Sequence, residues 1–175
     1  MSSSGVEHFA NQLDDDVRHA ASLLETITDD ARVRTAPPGR WSAIEILGHL
    51  IDSASNNHQR FVRARWQDDL VFDGYQQDEW VAAQRYAESR WLDTVSLWRT
   101  FNLHIAHVMR TTPHDVLHAS RARHNLDVLA WKAVPAGQPT TLEYFMRDYI
   151  EHLEHHLVQV EALTGLALLP RATNA

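Results

Sequence analysis

The chain has 175 residues, a formal net charge of −7, 44% hydrophobic residues and no cysteine. This length and composition are ordinary for a soluble globular protein, and we expect a single domain over residues 1–175 with its core between about 5 and 165. The lack of cysteine excludes disulfides and thiolate chemistry from the protein itself, and an acidic chain without runs of basic residues argues against nucleic-acid binding.

The N-terminal residues and the apolar runs bear on location. The first residues, MSSSGVEHF, lack the basic and apolar regions of a signal peptide. The apolar runs are only a few residues long, far short of a bilayer span. We therefore expect a cytoplasmic protein without a membrane partner.

Two amphipathic helices are predicted in the first third of the chain. Apolar residues recur every three or four positions over residues 5–28, which predicts the first helix. The stretch APPGR (36–40) interrupts the pattern. Ser42 and Glu45 then have the spacing of a capping box, which predicts the start of a second helix running to about Trp66.

A third helical region is predicted over residues 79–110, with a break near Ser89. The preceding residues 67–80 have the composition of an ordered loop with Gly74 as its turn residue. The region ends at Thr112-Pro113.

The last predicted helix begins at Thr140 or Thr141 and ends at Thr164-Gly165. Residues 113–139 before it are irregular in pattern. Because no segment has sustained strand alternation, we predict an all-α fold, a four-helix bundle with one long crossover connection.

The chemistry of the chain is suggested by its histidines, of which there are 12 against 16 Lys plus Arg. In the last helix, at about 100° per residue, His156 falls near the centre of the apolar stripe and His152 roughly 40° from it. His155 lies on the flank and is interpreted as a surface residue or a neighbour of a ligand. Two neutral imidazoles at i and i+4 suit Zn, Ni, Cu or Fe(II). A hydrogen-bonded core histidine is the usual alternative, and spacing alone leaves the two interpretations equal.

A third ligand is available in the second helix, at His49 or His58. His58 lies on the apolar stripe of that helix, whereas His49 lies far from it, on the side of Ser42 and Ser53. Periodicity therefore favours His58, and the residues alone do not settle the choice.

Three segments resemble the DinB-like superfamily, particularly its YfiT-type branch of bacillithiol S-transferases and metal-dependent hydrolases. They are GRWSAIEILGHLIDSASNNHQRF, FDGYQQDEW and AGQPTTLEYFMRDYIEHLEHHLVQVEAL, and the resemblance spans about residues 5 to 165. It implies a DinB-like four-helix bundle holding one divalent metal, Zn or Ni, with His49, His152 and His156. In one departure, VLAWKAVPAGQP replaces the His-Pro usual before the glycine, so we expect a different pocket wall there.

The resemblance also implies a reaction and a homodimer. Three histidines leave one coordination position open, as in catalytic metal sites, where a thiol or a water becomes a nucleophile at neutral pH. We expect a thiol S-transferase that uses a low-molecular-weight thiol cosubstrate and a small-molecule electrophile. The alternatives are a metal-dependent hydrolase and a non-catalytic metal-binding protein of the stress response.

Supporting roles are assigned from spacing. Asp52, three residues after His49, is expected to accept a hydrogen bond from an imidazole N–H, with Glu45 as an alternative whose capping role is favoured. Arg60 and Arg147 could hold a cosubstrate carboxylate, although solvated positions are favoured for both. The tryptophans are expected in the core rather than as substrate platforms: Trp41, Trp80, Trp91 and Trp98.

Overall fold

The computed structural model describes residues 5–28 and 39–170, with side chains from residue 8 onward. Its helices are, in chain order, α1 (Gly5–Leu24), α2 (Ala43–Arg63), α3 (Gln77–Gln84), a 3-10 turn (Tyr86–Glu88), α4 (Trp91–Arg110), α5 (His114–His118), α6 (Leu126–Leu129) and α7 (Leu142–Thr164). The described residues form no β-strand, only two isolated bridges. The predicted all-α class is confirmed.

The four long helices α1, α2, α4 and α7 form a bundle. Helix α4 packs against both α1 and α2, and α2 packs against α7. The apolar stripes predicted for these helices are buried between them, with the indole of Trp98 at the centre. Of the helices in the described segments, none combines the length and the apolarity that a bilayer crossing requires.

Helix α1 ends four residues earlier than predicted. Residues 26–28 are Thr-Ile-Thr, and β-branched side chains disfavour helix. The amides of Thr26 and Ile27 bond three residues back rather than four. The indole nitrogen of Trp91 donates to the Leu24 carbonyl at 2.7 Å, which satisfies an acceptor at the helix end. Of the predicted interruption at 36–40, residues 36–38 lie outside the described residues.

The predicted start of α2 is confirmed. The Glu45 carboxylate accepts the Ser42 backbone N–H at 2.8 Å, in a capping box. The helix ends at Arg63, and the turn that follows leaves Trp66 79% exposed.

The region predicted as one broken helix is α3, the 3-10 turn and α4. The break near Ser89 is confirmed: Arg85 has a left-handed backbone (φ 51°) and Ser89 is extended. The loop predicted over 67–80 is shorter, because α3 begins at Gln77. Asp78 and Glu79 in its first turn complement the helix dipole.

The connection from α4 to α7 is ordered rather than only irregular. Its short helices α5 and α6 are tied down by backbone bridges from Leu70 to His124 and from Arg121 to Thr140. The Asn125 side chain bonds both the N–H and the C=O of Phe72. The start of α6 is thereby held against the loop that precedes α3.

Helix α7 begins and ends as predicted. The Thr141 hydroxyl accepts the Tyr144 N–H at 3.1 Å, which makes Thr141 rather than Thr140 the N-cap. Gly165 ends the helix with φ 77°, a conformation that glycine adopts without strain.

Candidate metal centre

Three histidine rings converge where α2 packs against α7. The Nε2 atom of His152 lies 3.4 Å from that of His49 and 3.1 Å from that of His156. These residues form the one group of three or more metal-ligating side chains found within the described segments. His58 is not part of it, because its ring lies instead beside His104, at 5.1 Å between centroids.

The orientation of the rings fits a metal ion. The Nδ1 atom of His156 lies 3.0 Å from the Gln159 side-chain oxygen, which can only accept. In this amide orientation Nδ1 carries the proton and the Nε2 lone pair faces the other two rings. Three Nε2 atoms this close cannot all hydrogen-bond one another, whereas one cation can accept a lone pair from each. The donor set is thus that of a three-histidine site.

The protonation states also suit metal binding. Burial lowers the pKa of His49 to about 3, and the nearby His156 acts in the same direction. Burial, reinforced by the neighbouring histidines, lowers the pKa of His152 to about 3. The pKa of His156 is lowered as well, chiefly by burial. All three rings are therefore neutral near pH 7, as ligation requires.

A cavity of about 270 Å³ opens beside His49 and His152. One side is the face of α2 that continues from His49 through Ser53 and Asn57 to Arg60. Tyr75, Phe145 and the largely apolar residues 128–131 also line it. We call this the polar cavity, after the α2 face that lines it, and His49 lies at one end of that face.

A second cavity, of about 520 Å³, opens at His156, and Gln77 lines both cavities. Trp41, Ile46 and Leu163 give it an apolar wall. The Trp41 ring lies 4.9 Å from the His49 ring and 6.5 Å from the His156 ring, between centroids. The histidine cluster is thus reached from two different cavities.

Comparisons with known proteins identify the family. A family model of the DinB superfamily matches residues 12–160, which include the three histidines. The chain belongs to the DinB superfamily. Among solved structures it is similar to YfiT from Bacillus subtilis, a probable metal-dependent hydrolase with an unusual four-helix bundle topology, with a TM-score of 0.75. That match has 16% identity and covers 94% of this chain and 89% of the other, so it shows a shared fold. No curated protein matches the chain.

In this DinB-superfamily chain the expected partner of His49 is engaged elsewhere. Asp52 Oδ1 accepts hydrogen bonds from Gln84 Nε2 at 2.6 Å and from the Tyr86 hydroxyl at 2.7 Å. Asp52 Oδ2 and His49 Nδ1 are both buried and have no hydrogen-bond partner in the described part of the chain. The predicted bond between them is not formed. Glu45 caps the start of α2, which is the role that the sequence favoured over contact with His49.

The two candidate arginines differ from each other. Arg60 is 6% exposed and lines the polar cavity. The expectation that its side chain lies in solvent is therefore wrong. Its burial follows from packing of this α2 face against the Asp73 backbone, whose carbonyl accepts from the guanidinium at 2.7 Å. Arg147 is exposed, as expected from the sequence, and forms an ion pair with Glu143 on the same helix.

The tryptophans divide in the same way. Trp91 and Trp98 lie in the core, as expected. Trp80 does not, since it is 39% exposed and lies against the Tyr75 ring at 5.0 Å. Trp41 is half-buried, and one side of it contacts the histidine rings rather than the core alone.

The segment that departs from the family pattern does form a cavity wall in this superfamily member. Asp148, one turn before His152, accepts the backbone N–H groups of Trp131 at 2.9 Å and Lys132 at 2.7 Å. These bonds hold residues 128–131 against the start of α7. His155 is exposed and lies 3.0 Å from Gln159, the residue that orients His156.

Sequence reasoning did not single out Ser53, Asn57 or Tyr75 as site residues. A signal existed for the first two: they follow His49 at i+4 and i+8, on one helix face. Tyr75 comes from a loop, and no periodicity could place it at the cavity.

Proposed function

We propose that His49, His152 and His156 hold one divalent ion, with zinc or nickel as first choices, and that the chain is a metal-dependent enzyme. The convergence of three neutral Nε2 atoms supports this ligand set. When bound, such an ion lowers the pKa of a thiol or water in its remaining position, which generates a nucleophile near pH 7.

The reaction we propose is transfer of a low-molecular-weight thiol to a small electrophile. The observation that carries it is the pair of cavities that meet at the histidines, one lined by the polar face of α2 and one by the apolar wall at Trp41, Ile46 and Leu163. Two adjacent cavities give the two substrates of such a reaction separate places to bind. His49 and His152 face the polar cavity, and His156 faces the other.

Two further residues support the histidines in this proposal. Burial, together with the charge of Asp52, raises the pKa of Tyr75 to about 12, so its hydroxyl keeps its proton at neutral pH and can donate to a substrate in the polar cavity. Asp52 Oδ2 lies three residues after His49, whose Nδ1 also lacks a partner. Although the present positions form no such bond, we propose that the ligated His49 ring shifts so that its Nδ1–H donates to Oδ2.

Hydrolysis is the second candidate, because the structural neighbour YfiT is described as a probable metal-dependent hydrolase. The same three histidines would serve it, with water in place of the thiol. A small ester or amide would then occupy the polar cavity alone.

One set of assays separates the two reactions. The metal-loaded protein is given a chromogenic aryl halide or a nitrophenyl ester, each with and without added thiol. We expect metal-dependent conjugation of the halide that requires the thiol. Ester cleavage without a thiol requirement would favour the hydrolase, and inactivity in both assays would favour a metal-binding protein of the stress response without catalysis.

We also propose a cytoplasmic homodimer. Support comes from exposed apolar side chains on α4, where Leu92 is 54% and Leu97 51% exposed. The tryptophans of that helix are buried and do not contribute. Light scattering at micromolar concentration should give twice the chain mass of 20.0 kDa, and the mass of one chain would contradict the dimer.

A further inference from the structure

A buried guanidinium without a carboxylate partner lies in the polar cavity. Arg60 is 6% exposed. Its hydrogen bonds go to neutral oxygens, the Asp73 backbone carbonyl at 2.7 Å and the Asn57 side-chain oxygen at 3.3 Å. No ion pair within 4.0 Å among the described residues includes it, and the Asp73 carboxylate acts on it only from a greater distance. A buried charge in this state is costly, so such arginines usually have a partner.

The surroundings hold this guanidinium in place for a ligand. Asn57 is 8% exposed and donates to the Ser53 carbonyl at 3.0 Å, which turns its oxygen toward Arg60. Burial lowers the pKa of the Arg60 guanidinium, whereas Tyr75, which lines the same cavity, and the Asp73 carboxylate are close enough to raise it. The Tyr75 hydroxyl and the Arg60 guanidinium are both donors, and what they share is affinity for an anion.

The position of Arg60 relative to the histidines sets the size of the ligand. His49, Ser53, Asn57 and Arg60 follow one another at i, i+4, i+8 and i+11 on one face of α2. Eleven residues span about 16 Å of helix axis. Helical side chains lean toward the N-terminus, and the long arginine leans furthest, so the gap to be bridged is on the order of 10 Å.

We propose that Arg60, with Tyr75, binds a carboxylate of the substrate whose other end reacts at the histidine cluster. The substrate class is thus a small molecule that carries a carboxylate several bonds from its thiol or scissile group. This inference rests on the proposed function for the end of the substrate that reacts. The evidence for the anion subsite is separate and comes from Arg60 and its contacts. A planar carboxylate can take two parallel N–H donors from a guanidinium.

The test uses two matched thiols of the required length, 6-mercaptohexanoate and 6-mercapto-1-hexanol, which differ at the carboxylate. Binding is followed by NMR through the Arg60 Nε–Hε signal, which is identified by its loss in Arg60→Gln, in zinc-loaded and in metal-free protein. We expect the carboxylate thiol to shift this signal and to bind about tenfold more tightly or better than the alcohol in wild type. Arg147→Gln, at an exposed arginine, is the matched control and should keep that preference.

The outcomes distinguish this inference from the proposed function. In Arg60→Gln the preference for the carboxylate should fall to about twofold or less, and Arg60→Lys should restore part of it if the Gln variant folds poorly. If the two thiols bind wild-type protein equally and neither shifts the Arg60 signal, the proposed carboxylate subsite is refuted, even if both thiols bind the zinc ion. A carboxylate preference that persists without metal, in a protein that binds no zinc, would support the subsite and refute the metal proposal.

Discussion

The substitution Gly48→Ala tests how closely the 3-10 turn packs on α2 beside the metal centre. A Cβ at residue 48 would overlap three atoms of the Tyr86 ring, well inside 3.0 Å. That ring is 8% exposed and cannot move freely, because its hydroxyl donates to Asp52 at 2.7 Å. The added methyl must therefore displace either the 3-10 turn or the helix.

The expected cost can be worked from these contacts. Overpacking of this kind costs about 1–3 kcal/mol, and loss of the bond to buried Asp52 adds about 1–2 kcal/mol. Alanine recovers up to about 1 kcal/mol of helix propensity. These terms sum to about 1–5 kcal/mol, and we expect a net destabilisation of about 3 kcal/mol, or a fall in Tm of about 6–12 °C for a chain of this size.

Urea unfolding followed by circular dichroism measures this cost, and a double-mutant cycle shows its cause. In a Tyr86→Ala background, Gly48→Ala should stabilise by up to about 1 kcal/mol, since only propensity remains. Gly74→Ala is the control: its Cβ would meet Leu129 at 3.5 Å, an ordinary contact. An equal cost of Gly48→Ala in both backgrounds would refute the packing account.

Three other predictions concern the centre and the cavity wall. In metal-free protein the free energy of unfolding should fall as pH drops from about 6.5 toward 3, because unfolded His49 takes up a proton at its ordinary pKa while the folded ring, with pKa about 3, stays neutral. Near pH 5 this amounts to about 2 kcal/mol, and a His49→Gln variant should show a shallower slope in urea titrations. Asp148→Asn puts an amide donor against the Trp131 or Lys132 N–H; we expect a loss of about 1–3 kcal/mol and faster proteolysis near residue 131, and unchanged protection would contradict this. Complete chelation should lower Tm by about 5–10 °C, since the ion binds only the folded state, and an unchanged Tm would refute ligation across two helices.

The sequence predicted most of the fold because the long helices are specified locally. The capping box at Ser42 and the glycine after Thr164 set their boundaries, and three-to-four spacing set their buried faces. Boundaries that depend on tertiary contacts were wrong. The end of α1 is one case, because the distant Trp91 indole adds to the local effect of Thr26-Ile27-Thr28 by sharing the Leu24 carbonyl with the Ile27 amide.

The candidate site was predicted less evenly. The pair His152 and His156 follows from helical spacing, whereas His49 required the family resemblance, because it lies off the apolar stripe of α2. The stripe marks contact with the core, and the site lies beside the core rather than in it. For the same reason Arg60 was expected in solvent, although the neighbouring Asp73 loop covers it.

Metal content of single histidine variants is the most direct measurement of the central claim. Wild-type protein, His49→Ala, His152→Ala, His156→Ala and the control His58→Ala would be loaded with zinc, dialysed and analysed by mass spectrometry. We predict about one ion per chain in wild type and His58→Ala, and loss of most of it in the other three, since each of those would remove one of the three proposed ligand atoms. Full occupancy in His49→Ala with loss in His58→Ala, or no bound metal in wild type, would contradict the assignment.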